Sequence, residues 1–88
     1  MRILVVGGAG FVGSNLVRRC LREPGAQVTV VDSLDPRFRS EIEQLSDVWP
    51  KIEFVQADTR DEVRMGKVVA RQDVIFNCAA TPFNQLAS

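Results

Sequence analysis

The sequence has no tyrosine, no histidine and only two cysteines. Without histidine, the side chain that most often serves as general base near neutral pH is missing. Cys20 and Cys78 lack metal-ligand spacing and have no histidine to complete a ligand set, so a zinc site is not expected. They read as two buried, reduced thiols. Neither sign of charge dominates, because eleven Lys and Arg balance eleven Asp and Glu. That balance leaves no basic stripe for nucleic acid or an anionic membrane surface. No apolar run approaches the roughly 18 residues of a membrane span. The apolar run after Met1 is too short for a signal peptide and ends in Gly7 and Gly8 rather than at a small-residue cleavage site. A soluble, cytoplasmic protein is expected, with no metal, nucleic-acid or membrane partner.

What is present is an alternation. With 88 residues, 45% apolar and 25% charged, the chain suits one small globular domain. Residues 3–6 form a short apolar run rich in β-branched side chains, as in a strand buried on both faces. Val12, Leu16, Val17, Cys20 and Leu21 then recur at the spacing of one helix face, with Arg18, Arg19 and Arg22 on the other. Pro24 and Gly25 stop that helix. Residues 28–31 read as a second strand ending at Asp32, and residues 32–39 as loop. Ser40 and Glu43 have capping-box spacing ahead of a short helix that Pro50 ends. Residues 52–55 read as a third strand. Thr59 and Glu62 repeat the capping-box spacing before a helix predicted to reach about Arg71, weakened by Gly66. Residues 74–76 begin a fourth strand that fades into Cys78, Ala79 and Ala80. Four strands alternating with three helices predict a parallel α/β sheet of Rossmann type, helices on both faces, in the order 3-2-1-4.

The motif that carries chemistry is Gly7-Gly8-Ala9-Gly10-Phe11-Val12-Gly13. Gly7, Gly10 and Gly13 have the spacing of a dinucleotide-binding turn. Gly7 permits the tight turn off the strand, Gly10 lets a pyrophosphate approach the backbone, and Gly13 lets the helix lie close to the sheet. The helix that starts here directs free N–H groups and its positive end at the phosphates. Asp32 lies 19 positions after Gly13, close to the roughly 20 expected of an acid that accepts both hydroxyls of the adenosine ribose. A carboxylate there repels the 2′-phosphate of NADP. The plainer alternative is a structural turn and a strand-end aspartate capping a loop. Ser14 and Asn15 follow Gly13 where an ATP- or GTP-binding loop needs Lys-Ser or Lys-Thr, which argues against those ligands.

The segment from Val6 to Val17 resembles the opening of the extended short-chain dehydrogenase/reductases. It is most similar to the NAD-dependent sugar-nucleotide epimerases and dehydratases. Val31-Asp32-Ser33-Leu34 is similar to the family's second-strand ending, Ala57-Asp58-Thr59-Arg60-Asp61 to its adenine-binding turn, and Val74-Ile75-Phe76-Asn77-Cys78-Ala79-Ala80 to its fourth strand. The resemblance implies NAD as cofactor. It implies that Phe11 and Val12 give backbone N–H groups to the pyrophosphate and that Asp32 binds the ribose. Asp58 would accept from the adenine amino group, and Thr59 would contact the ring through its backbone. Ala79 and Ala80 would pass near the ribose and diphosphate. Asp58 reads equally as a helix N-terminal carboxylate stabilised by the dipole, and the two alanines as small residues beneath a helix.

Family members also carry a Tyr-x-x-x-Lys pair that works as general acid/base at the sugar hydroxyl, and this sequence has no tyrosine. Residues 1–88 are therefore expected to be an NAD-binding half-domain of a nucleotide-sugar enzyme. It would lack the catalytic and sugar-nucleotide parts and would not turn over alone. Two other readings stand beside this one. One is a non-catalytic nucleotide-binding or interaction module. The other is an NADP-dependent reductase of the same family, with Arg37 or Arg39 reaching the 2′-phosphate. A homodimer through the fourth-strand edge, between Val74 and Ala79, is a further expectation.

Overall fold

A computed structural model of the chain describes residues 1–35, 37 and 40–79. Strand β1 (Arg2–Val6) leads through the glycine turn into helix α1 (Phe11–Cys20). Strand β2 (Gln27–Asp32) follows, then two 3-10 turns, Ile42–Leu45 and Trp49–Lys51. Strand β3 (Ile52–Gln56), helix α2 (Glu62–Val69) and strand β4 (Val74–Asn77) complete the order. All four strands are parallel in one sheet, ordered β3-β2-β1-β4, as predicted.

The two central strands are the two most apolar runs. Every residue of β1 and β2 after its first is buried. Their alternate side chains feed two cores. On one face Ile3, Val5, Val28 and Val30 meet Val17 and Cys20 of α1, Leu45 of the first 3-10 turn and Val48 just before the second. On the other, Leu4, Val6 and Val31 meet Ala57, with Met65 and Val68 of α2 half-buried above them. The first face is densely covered, whereas α2 buries no residue fully. Fully burying one Val or Leu side chain is worth about 1.5–3 kcal/mol, so most of the cohesion lies on the α1 face.

The helix boundaries depart from the capping-box reading at both places. Helix α2 is capped by Asp61, whose carboxylate accepts from the Arg64 N–H at 3.2 Å, and not by Thr59. Asp61 is one residue from the first helical position, where an Asx side chain reaches the N3 donor, and Thr59 lies too far upstream. The helix ends at Val69, and Arg71 falls in a looser turn. The segment after Ser40 is a single 3-10 turn entered through Glu41, without a side-chain cap. Pro50 does not end it but opens the next 3-10 turn, where a missing N–H costs nothing.

Val12 is the third correction. It stands 69% exposed rather than on the core-facing stripe. The first turn of α1 lies so close to the glycine turn that only Gly13 and Ser14 fit inward, and the core-facing stripe begins at Val17. Arg18 crosses to the 3-10 segment, giving two hydrogen bonds to Asp47 at 2.8 and 2.9 Å and one to the Gln44 carbonyl, so it straps that segment to α1.

Candidate functional site

The carboxyl ends of β1, β2 and β3 lie side by side, and the residues singled out from the sequence gather there. Gly7 has φ +79°, a backbone conformation that favours glycine. A Cβ on it would also sit 2.6 Å from the Ala79 nitrogen, so the chain leaving β4 runs directly against the turn. Gly13 is required by contact. A Cβ there would lie 2.2 Å from the Gly7 carbonyl oxygen and 2.8 Å from the Gly8 Cα. At Gly13 the helix therefore packs on the turn itself, while Val17 and Cys20 further along reach the sheet. A Cβ on Gly8, which motif spacing overlooked, would lie 2.6 Å from the Val30 side chain.

Gly10 differs from these three. Its φ of −81° is open to any residue, and a Cβ would meet nothing closer than the Gly7 oxygen at 3.6 Å and the Ser40 hydroxyl at 3.8 Å. Nothing in the described fold requires a glycine here. The residue is the N-cap of α1, yet no side chain caps this helix and its first turn holds no acid. Phe11 and Val12, the first helical residues, are 73% and 69% exposed. The first turn of a helix points its free N–H groups and partial positive charge outward, which suits an anion such as a diphosphate.

Asp32 ends β2 with 5% of its surface exposed. One carboxylate oxygen accepts from the Ala9 N–H at 3.0 Å, the other from the Leu34 N–H at 2.8 Å. The acid thus fastens the glycine turn to the loop that follows β2. That loop bends through Leu34 at φ +60°, an uncommon conformation for a branched aliphatic residue, fixed by the bond from Asp32. A carboxylate has about four acceptor positions, so two remain for outside donors.

Asp58 and Thr59 follow β3, beside Asp32; the Ala57 N–H donates to the Asp32 carbonyl at 3.2 Å. Thr59 is exposed. The Asp58 carboxylate accepts from the Arg60 backbone N–H at 2.8 Å and from its guanidinium at 2.7, 3.1 and 3.2 Å. That guanidinium holds the Asp58 pKa down at about 2. The helix-N-terminus reading of Asp58 does not fit, because Asp61 occupies that place. Asp35 repeats the device, accepting from the Arg37 N–H at 2.9 Å and from its guanidinium at 2.7 and 3.1 Å. Sequence reasoning missed both pairs, although Asp-x-Arg, an Asx turn with a basic third residue, is a readable signal. Ala79 is half-buried and its N–H donates to the Asn77 side chain at 3.1 Å. Ala80 and Arg39 lie outside the described residues.

The structure therefore brings Gly7, Gly10, Phe11, Val12, Gly13, Asp32 and Ala79 to one place, with Asp58 and Thr59 on the neighbouring strand end. An open helix N-terminus after β1 and a buried acid at the end of β2, on a parallel 3-2-1-4 sheet, define a Rossmann-type nucleotide-binding fold.

Comparison with known proteins narrows that class. Residues 3–88 match the NAD dependent epimerase/dehydratase family, and the chain belongs to it. A dTDP-glucose 4,6-dehydratase of Mycobacterium tuberculosis is 42% identical over 81 residues, covering 91% of this chain and 24% of that protein. The dTDP-glucose 4,6-dehydratase of Bacillus anthracis, solved in complex with NAD, superimposes with a TM-score of 0.81 at 30% identity. That match covers 92% of this chain and 27% of the other. The UDP-glucuronic acid 4-epimerase of Bacillus cereus, also solved in complex with NAD, gives 0.80 at 27% identity over 93% of this chain and 28% of the other. The chain spans about a quarter of the length of the curated relatives it matches.

Proposed function

We propose that this chain holds the ADP half of NAD, as the cofactor-binding portion of a sugar-nucleotide epimerase or dehydratase. The observation that carries the proposal is Gly10. The chain's own packing explains Gly7, Gly8 and Gly13, whereas among the described residues the space beside Gly10 is left open next to an uncapped helix N-terminus. A cradle that a Cβ would fill fits a diphosphate pressed against the backbone. The Phe11 and Val12 N–H groups would hold the diphosphate, Asp32 the ribose hydroxyls through its remaining acceptor positions, and Asp58 and Thr59 the adenine. Ala79, packed beside Gly7, would keep the floor of the site small. NAD, when bound, supplies the hydride acceptor and donor for the sugar. No acid/base role at the sugar is assigned to the chain's own residues, which include no tyrosine or histidine.

Titration calorimetry tests the reading. NAD binds more tightly than NADP, and Asp32→Ala weakens NAD and narrows the gap. Equal or tighter NADP binding by the unaltered chain would overturn the role of Asp32 and favour the NADP-dependent alternative. No binding of either would favour a module that does not use a dinucleotide.

Two further parts of the reading rest on single observations. The thiols of Cys20 and Cys78 are unpaired by disulfide and pushed above their ordinary pKa by burial, which supports a cytoplasmic setting. A second copy of the chain pairing along β4, between Val74 and Ala79, is supported by the exposure of Ile75 and Phe76 on a strand at the edge of the described sheet. Sedimentation that finds a monomer at high concentration rejects that pairing.

A further inference from the structure

Ser40 does not cap the 3-10 turn that follows it, because that turn is entered through Glu41 without a side-chain cap. Among the described residues nothing forms a hydrogen bond with the Ser40 hydroxyl. The residue is half-buried, and the chain just after it is firmly tied down. The Glu41 N–H donates to the Ala9 carbonyl, inside the glycine turn, at 3.1 Å. Leu45 is fully buried, and Arg18 of α1 donates to the Gln44 carbonyl and to Asp47. Ser40 therefore adjoins a segment fastened to both the glycine turn and α1.

The Ser40 hydroxyl borders the space beside Gly10. Among the described residues, two atoms lie within ordinary contact of a Cβ placed there: the Gly7 carbonyl oxygen at 3.6 Å and the Ser40 hydroxyl oxygen at 3.8 Å. The Gly7 oxygen can only accept, and it already accepts from the Gly10 N–H at 3.3 Å. The Ser40 hydroxyl can donate. An oxygen about 1 Å nearer to it than that Cβ would stand at the usual O–H···O distance of about 2.8 Å. We propose that Ser40 is a further cofactor-binding residue, whose hydroxyl donates to a diphosphate oxygen lodged beside Gly10. The proposal rests on the dinucleotide reading above and adds a side-chain donor to the backbone N–H groups of Phe11 and Val12. Ala9 sets both parts of the site. Its N–H is held by Asp32 at 3.0 Å and its carbonyl by Glu41, so the ribose acid and the segment carrying the hydroxyl are registered against one residue.

Ser40→Ala removes the hydroxyl and no contact on which the described fold depends. In titration calorimetry on the full chain it lowers NAD affinity about tenfold, the scale of one hydrogen bond to a charged group, with the melting temperature unchanged. Ser40→Thr keeps a hydroxyl and stays within about threefold of the unaltered chain. Phosphorus NMR at saturating NAD supplies a readout that a merely structural role would not move: the diphosphate signals of the bound cofactor shift in Ser40→Ala. An unchanged NAD affinity in Ser40→Ala overturns the proposal. So does a loss of affinity that leaves the diphosphate signals in place or that Ser40→Thr shares, since the residue would then act on the fold and not on the diphosphate. A Ser40→Ala chain that melts markedly lower overturns it for the same reason. Failure of the unaltered chain to bind NAD is a separate result that overturns the dinucleotide reading itself.

Discussion

The two helices begin in opposite ways. Helix α2 closes its own N-terminus. Asp61 accepts from the Arg64 N–H, and Glu62 adds an acid to the first turn. Helix α1 does neither: its N-cap is Gly10, no side chain caps it, and no acid stands in its first turn. Its charges lie at the far end, where Arg18 and Arg19 suit the negative pole. An N-cap aspartate is worth about 1 kcal/mol, so α1 forgoes stabilisation that α2 takes. The helix with the better-buried face is the one left open, and burial of Val17 and Cys20 offsets the missing cap. A functional helix terminus is thus recognised here by what the protein declines to supply.

The glycines of the α1 turn should give the largest effect if this contrast is right. Gly13→Ala places a Cβ 2.2 Å from the Gly7 oxygen, which no side-chain adjustment relieves. A loss of about 3 kcal/mol or more is expected, enough to unfold much of a small domain, and thermal denaturation measures it. Capping at α2 comes next. Asp61→Ala should cost about 1 kcal/mol in denaturant unfolding and leave NAD affinity unchanged. A loss of NAD binding in that variant would erase the distinction between the two helix ends.

The smallest effect concerns the turn before α2. Its acid is held ionised by Arg60, so the pKa of Asp58 lies at about 2 in the folded chain, below its ordinary value. A depressed folded pKa contributes stability above the unfolded pKa, near 3.9, and that contribution is lost as pH falls toward 2. Arg60→Met should move the Asp58 midpoint, followed by carboxyl NMR, up into the ordinary carboxylate range. Stability at pH 7 should change little, because the pair is exposed.

Local pattern made much of this legible. Two β-branched runs could only be the buried central strands, and the glycine spacing followed by an acid marked the site before its geometry was known. What escaped depended on distance through space. Thr59 and Ser40 had capping-box spacing, but spacing does not say which nearby oxygen reaches the orphan N–H, and Asp61 was closer. Val12 matched the apolar period, but the inward space at that height was already taken by the glycine turn. Arg18 and Asp47 are 29 positions apart, so no local rule pairs them. The different reasons for the glycines were also hidden, because a motif records that a side chain is absent and not what would have collided with it.

Gly10→Ala tests the central claim most directly, with thermal unfolding and NAD calorimetry run on the same sample. The account predicts a melting temperature equal to or slightly above that of the unaltered chain, because an added methyl meets only ordinary contacts and stiffens the unfolded chain. It predicts an NAD affinity lower by more than tenfold, about 1.4 kcal/mol or more, because the methyl occupies the space left for the diphosphate. A variant that folds and binds NAD as well as the unaltered chain would contradict it.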